Sequence, residues 1–154
     1  MRNYFCGWYI KCQNGPQTVA FIVAYHIVNH VKSCSLQVIT DDGAWNVNYP
    51  FAEFRMDENG LTMGPNCFTR QGCHVEVDTE DLKLAGDLAF GEFSPIAYDI
   101  MGPFKFVPFM QCRHSIYSLR HRVDGVMVIN GTPYSFHEGL GYMEGDRGRS
   151  FPKA

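Results

Sequence analysis

The 154-residue sequence predicts an all-β chain of antiparallel strands, closed as a barrel or stacked as a sandwich. Two observations carry this: apolar and polar side chains alternate at period two, and tight-turn dipeptides punctuate the alternation. A third is negative, since no stretch of ten or more residues has the periodicity of an amphipathic helix.

"QTVAFIVAYHI" is apolar on both faces and predicts a central strand. "SLQVIT" closes at "DDG", residues 41–43, and "WNVNY" resumes with Trp45, Val47 and Tyr49 in phase. "CHVEVD" sets Cys73, Val75 and Val77 on one face, with His74, Glu76 and Asp78 on the other. "LKLAGDLAF" aligns Leu82, Leu84, Leu88 and Phe90, and Gly86 falls on their side. In "SIYSLRHRVDGVMVINGTPYSF", Asp124-Gly125 and Asn130-Gly131 are hairpin signals, because a type I′ turn needs positive φ at both central residues. They predict three short strands in a meander. "FSPIAYDIMGPFKFVPFMQC", residues 93–112, breaks the rhythm with Pro95, Pro103 and Pro108. Proline cannot donate to a central ladder, yet the segment is too apolar for a solvated loop. It reads equally as a plug in the core or the lid of an apolar pocket, with Asp99 capping a turn within it.

Composition narrows the function classes. A chain of this length suits one domain with a sizeable core, and 45% hydrophobic residues exclude disorder. The formal net charge of -3 and the lack of a basic stripe argue against nucleic acid. "RHR" at 120–122 and "RGR" at 147–149 read as solvated surface. The start has no apolar core suited to a signal peptide, and "VAFIVAY" is too short to span a bilayer, so no transmembrane segment is expected. A cytoplasmic protein is the simplest expectation. Its six cysteines then remain reduced thiols, read as core packing. Cys73-His74 and the Cys112/His114 pair have the residue types of metal ligands, but packing is the preferred reading, and no metal or other cofactor is expected. Phosphate-loop and G-x-S-x-G motifs are lacking.

Several stretches carry a family resemblance. "YFCGWYIK", "YDIMGPF", "PFMQCRHSIYSLRH" and "GYMEGDRGRSFP" are similar, in that order, to segments of the tocopherol cyclase-like proteins, relatives of carotenoid hydratases and AttH-like proteins. The last segment is the most specific and resembles Tyr-x-Glu-x-Asn-Trp-Gly of the cyclases. The resemblance implies a lipocalin-like β-barrel, residues 1–154 forming the N-terminal domain of a two-domain architecture. Family members continue past the Phe-Pro into another strand. The barrel is therefore expected to be incomplete, with self-association or a second chain supplying the missing strand.

The family's chemistry protonates an alkene, so that a phenol oxygen or water adds to the cation. That step needs a carboxylic acid kept protonated in an apolar cavity. Glu144 aligns with the family's acidic position and is the candidate acid, with Asp146 beside it in the candidate catalytic set. Tyr142, Trp8, Phe104, Phe106, Phe109 and His114 are the candidate ligand-binding residues; Trp8 and Tyr9 read alternatively as packing at the barrel base. Asp146 stands where the family has asparagine, and Arg147 where it has tryptophan. A tryptophan face attracts a carbocation by about 2 kcal/mol when desolvated, whereas arginine repels it. The expectation is therefore a module that binds a hydrophobic, prenylated small molecule without full catalytic competence. The alternative is an isomerase- or lyase-type enzyme that uses Glu144 as general acid.

Overall fold

The computed structural model describes residues 4–57, 59–93 and 112–148. Phe104, Phe106, Phe109 and Asp99 lie outside them, as does the plug-or-lid segment apart from Phe93 and Cys112.

Among the described residues, eleven strands form one antiparallel sheet. They are β1 (Tyr4–Asn14), β2 (Gln17–Val28), β3 (Val31–Thr40), β4 (Gly43–Tyr49), β5 (Phe54–Met56), β6 (Gly60–Met63), β7 (Asn66–Thr69), β8 (Gly72–Asp78), β9 (Lys83–Phe90), β10 (Cys112–Ile129) and β11 (Thr132–Gly148). The order is β4-β3-β2-β1-β11-β10-β9-β8-β7-β6-β5. Among the described residues each strand pairs with its neighbours in sequence except β4 with β5, and β1 also pairs with β11. The result is an all-β, lipocalin-like barrel that is nearly closed.

The seam between β4 and β5 is bridged without a ladder. A 3-10 turn, Phe51–Glu53, links the two strands. Asn66 on β7 donates from Nδ2 to Tyr49 Oη at 3.0 Å, and the Gly64 N–H donates to the Glu53 carbonyl at 3.2 Å. Tyr25, Phe51 and Phe54 pack ring to ring over the gap, with Tyr25–Phe54 centroids 5.1 Å apart.

This register changes where an incomplete edge would lie. β11 already has β1 on one side, from Phe5↔Gly148 to Gln13↔Leu140, and β10 on the other. Past Leu140 its outer edge is capped by side chains. Asn14 Nδ2 donates to the Ser135 carbonyl at 2.6 Å, and Gln17 Nε2 donates to that of Pro133 at 3.0 Å. The interrupted ladders belong to β4 and β5, not to β11.

Period two fixes which face is inside. Trp8, Ile10, Cys12, Phe21, Val23, Leu36, Val38, Phe68, Val75, Leu84, Met127, Phe136 and Met143 are all buried in one interior cluster. β2 is central as expected, between β1 and β3. The Asn130-Gly131 hairpin is present, with φ of +49° and +83°. A similar tight connection at Asn29-His30 (φ +51° and +68°) joins β2 to β3 without a glycine.

Asp124-Gly125 corrects the sequence reading. It is not a turn: β10 runs unbroken through it, and the extra residue of the register slip lies opposite on β11, between Gly139 and Phe136, where Glu138 has φ +53°. Gly125 (φ +132°) lies against the backbone of Asp87 and Leu88, where a side chain would clash. The Asp124 carboxylate accepts from Arg122 Nε at 2.5 Å and from the Glu138 N–H at 2.9 Å. Two long strands therefore replace the expected three-strand meander.

Five cysteines, Cys6, Cys12, Cys34, Cys67 and Cys73, are free thiols among the described residues. Burial pushes the Cys12 thiol up to about 12, so it stays protonated in the core. Cys73 faces inward, whereas His74 faces out and bonds Asp87 at 2.7 Å. The two cannot share an ion.

Candidate functional site

β10 is irregular where it faces the interior. Its register against β11 slips between Ile116 and Ser118, and again between Ser118 and His121. Such bulges re-aim side chains and recur beside functional sites. Here the rings of Tyr117 and His121 lie over glycines of β11, whereas Ser118 pairs with Met143. A methyl group on Gly141 would collide with the His121 imidazole, and one on Gly145 with the Tyr117 phenol. The two glycines are slots for two rings.

An aromatic cluster fills this region. Trp8 meets Tyr117 edge to face at 5.5 Å, and His121 packs between Phe90 (4.9 Å) and Phe93 (4.6 Å). Outside it opens a cleft of about 510 Å³, lined by Arg70, Gln71, Phe90, Gly91, Glu92, Phe93 and Tyr117. The Arg70 guanidinium lies 5.0 Å over the Tyr117 ring. A larger depression of about 640 Å³ runs along β5–β7, where Arg55, Asp57 and Asn59 alternate with Met56, Leu61 and Cys67.

His121 is 3% exposed, which corrects the reading of "RHR" as solvated surface; Arg120 and Arg122 are exposed as expected. Burial pulls its pKa down to about 4, so the ring is neutral near pH 7. The Ser118 hydroxyl donates to the Arg120 carbonyl at 3.0 Å, and Ser118 Oγ lies 3.0 Å from His121 Nδ1. Ser118 thus ties the imidazole Nδ1 to its own strand. His121 Nε2 and Trp8 Nε1 are both buried without a hydrogen-bond partner among the described residues. Leaving such a group unpaired costs about 1–3 kcal/mol, so two of them in one aromatic cluster call for an explanation.

The candidates drawn from the resemblance are placed differently. Trp8 is in this cluster, facing inward opposite Gly145. Tyr142 and Glu144 share the outer face of β11 with Tyr9 and Lys11 of β1, since Tyr9 pairs Glu144 and Lys11 pairs Tyr142. Tyr142 Oη donates to Glu144 Oε1 at 2.6 Å, and Glu144 is half-buried. Burial, then the nearby Glu144 charge, raises the Tyr9 pKa. Beside them lies an outer cleft of about 340 Å³, lined by Tyr9, Lys11, Gln13, Leu140, Gly141 and Tyr142. Asp146 takes a backbone position opposite Gly7 and His114. Trp8 and Glu144 therefore lie on opposite faces of one sheet.

Gly141→Ala is expected to destabilise the chain by about 1–3 kcal/mol through overpacking against His121. The same change in a His121→Ala background should cost markedly less, because the slot is then empty. A double-mutant cycle by urea unfolding checks this.

No protein-family model matches the sequence, and no curated protein matches it. A candidate AttH protein from Nitrosomonas europaea, known from a crystal structure, has a similar fold, with a TM-score of 0.50 and 13% sequence identity. The match covers 99% of this chain and 53% of that one, so this chain spans about half of its length. At that identity the likeness speaks to the fold alone, a lipocalin-like barrel. No helix among the described residues is long and apolar enough to cross a membrane.

Proposed function

We propose that this chain is a binding module for a hydrophobic small molecule, prenylated ligands included, and one lipocalin-like domain of a larger two-domain architecture. The observation that carries the reading is the cleft of about 510 Å³ walled by Phe90, Phe93 and Tyr117, with Trp8 and His121 packed behind them. Its volume lies within the range of small-molecule sites, and its aromatic wall rewards burial of an apolar ligand.

The neutral apolar fluorophore N-phenyl-1-naphthylamine tests this. Saturable one-to-one binding is expected, and Phe93→Ala should weaken it about tenfold through lost apolar contact. Fluorescence that never saturates, or that ignores Phe93, overturns the reading.

A second reading rests on Glu144, hydrogen-bonded to Tyr142 beside the outer cleft. An acid there serves a substrate held along β1 and β11 outside the barrel. Turnover of a prenylated phenol that Glu144→Gln abolishes would establish it, since the amide keeps the shape and loses the proton.

A further inference from the structure

We propose that the cleft beside β9 and β10 takes an amphipathic anion, an apolar chain with a carboxylate head, and that Arg70 holds the head. This rests on the binding reading above and adds the charge of the ligand.

The lining of the cleft is divided by type. Phe90, Phe93 and Tyr117 form its apolar part, whereas Arg70, Gln71 and Glu92 form its polar part. A ligand with one apolar end and one charged end matches both. Arg70 sets the sign of that charge. Its guanidinium rests 5.0 Å over the Tyr117 ring, and among the described residues no carboxylate pairs with it. Other surface cations are paired: Lys83 with Asp78, and Arg122 with Asp124. Arginine offers five N–H donors in a planar fork, which suits the two oxygens of a carboxylate.

The backbone fixes Arg70 relative to the aromatic wall. Arg70 and Gln71 make the turn between β7 and β8, across which Thr69 pairs with Gly72. The Gln71 N–H donates to Thr69 Oγ1 at 3.0 Å, and the Gln71 carbonyl accepts from the Phe90 N–H at 2.8 Å. The turn is thus fastened to the strand that carries Phe90, and little ordering remains to be done on binding. Glu92 is exposed on the same cleft and repels an anionic head from its side. A cationic head would choose Glu92 instead, so the test separates the two signs.

The test displaces N-phenyl-1-naphthylamine from the whole chain with decanoate, 1-decanol and decyltrimethylammonium, each below its micelle threshold. It is run at about pH 8, where a carboxylate is ionised. The three share one alkyl chain and differ in the head. For the wild type, decanoate is expected to bind about fivefold more tightly than the ammonium, and the margin should shrink between about 0.02 and about 0.5 M salt. Arg70→Gln should weaken decanoate about fivefold and leave decanol within about twofold. Should that variant misfold, the wild type still decides, since a missing or salt-independent margin over the ammonium overturns the assignment. Equal weakening of decanoate and decanol by Arg70→Gln, with the fluorophore still bound saturably, overturns it and leaves the binding reading intact. A preference for the ammonium that Glu92→Gln removes overturns it too, and gives the head to Glu92. Failure of the fluorophore and of all three compounds to bind defeats the binding reading, and this inference with it.

Discussion

Phe21→Ala should lower the unfolding free energy by about 3–5 kcal/mol, the usual cost of emptying a fully buried aromatic site. Phe21 is 0% exposed and packs against Phe68 at 5.6 Å between ring centroids. Phe21 is on β2 and Phe68 on β7, which are far apart in the order of the sheet, so the contact spans the barrel interior. A cavity there cannot be filled by neighbours on the same strand. Urea unfolding should show a lower midpoint with an unchanged slope, whereas Phe21→Leu should cost under about 1.5 kcal/mol. A loss below about 1 kcal/mol for the alanine variant would mean that the two rings do not meet across a packed interior.

Acid should unfold the protein partly through His121. Its pKa is about 4 in the folded chain, against an ordinary 6.5. Between those values the unfolded chain binds a proton that the folded chain refuses, so stability rises with pH across the window. Its contribution is complete above about pH 6.5, falls as the pH drops, and is spent near pH 4. The full span is worth about 3 kcal/mol. In His121→Phe that part of the slope should vanish, while the acid response of the surface carboxylates persists. A wild-type profile flat between pH 6.5 and 4 would show that the imidazole is not held neutral.

Much of the fold was legible because period two is a strong signal wherever one face is buried. The inward sets on β8 and β9 follow it: Cys73, Val75 and Val77, then Leu82, Leu84, Leu88 and Phe90. The hairpin dipeptides were legible only in part. Asn130-Gly131 turns, but Asp124-Gly125 runs on within β10 opposite a bulge on β11, because positive φ at a glycine serves close backbone approach as well as a turn. A dipeptide alone does not say whether the chain reverses.

The site was read less well, for a related reason. In "GLGYMEG" the alternation puts Gly141, Met143 and Gly145 inside, with Tyr142 and Glu144 outside. Following a motif by residue type drew attention to the carboxylate and away from the glycines that make room for His121 and Tyr117. The burial of His121 had no local signal, since two exposed arginines flank it and the register slip that turns it inward is a property of paired strands.

The ladder between β1 and β11 has a consequence for how the chain reaches this structure. It joins residues from opposite ends of the described chain, so no local hairpin can nucleate it. While β11 is still being synthesised, β1–β4 can pair among themselves and Phe21 can already meet Phe68 of β7, but Trp8 and Ile10 lack the strand that flanks β1. Loop closure over that distance must precede the contacts that reward it, which places the barrel among slow, non-local folders. Until that ladder forms, the unpaired edge of β1 and the apolar side chains beside it are open to misassociation.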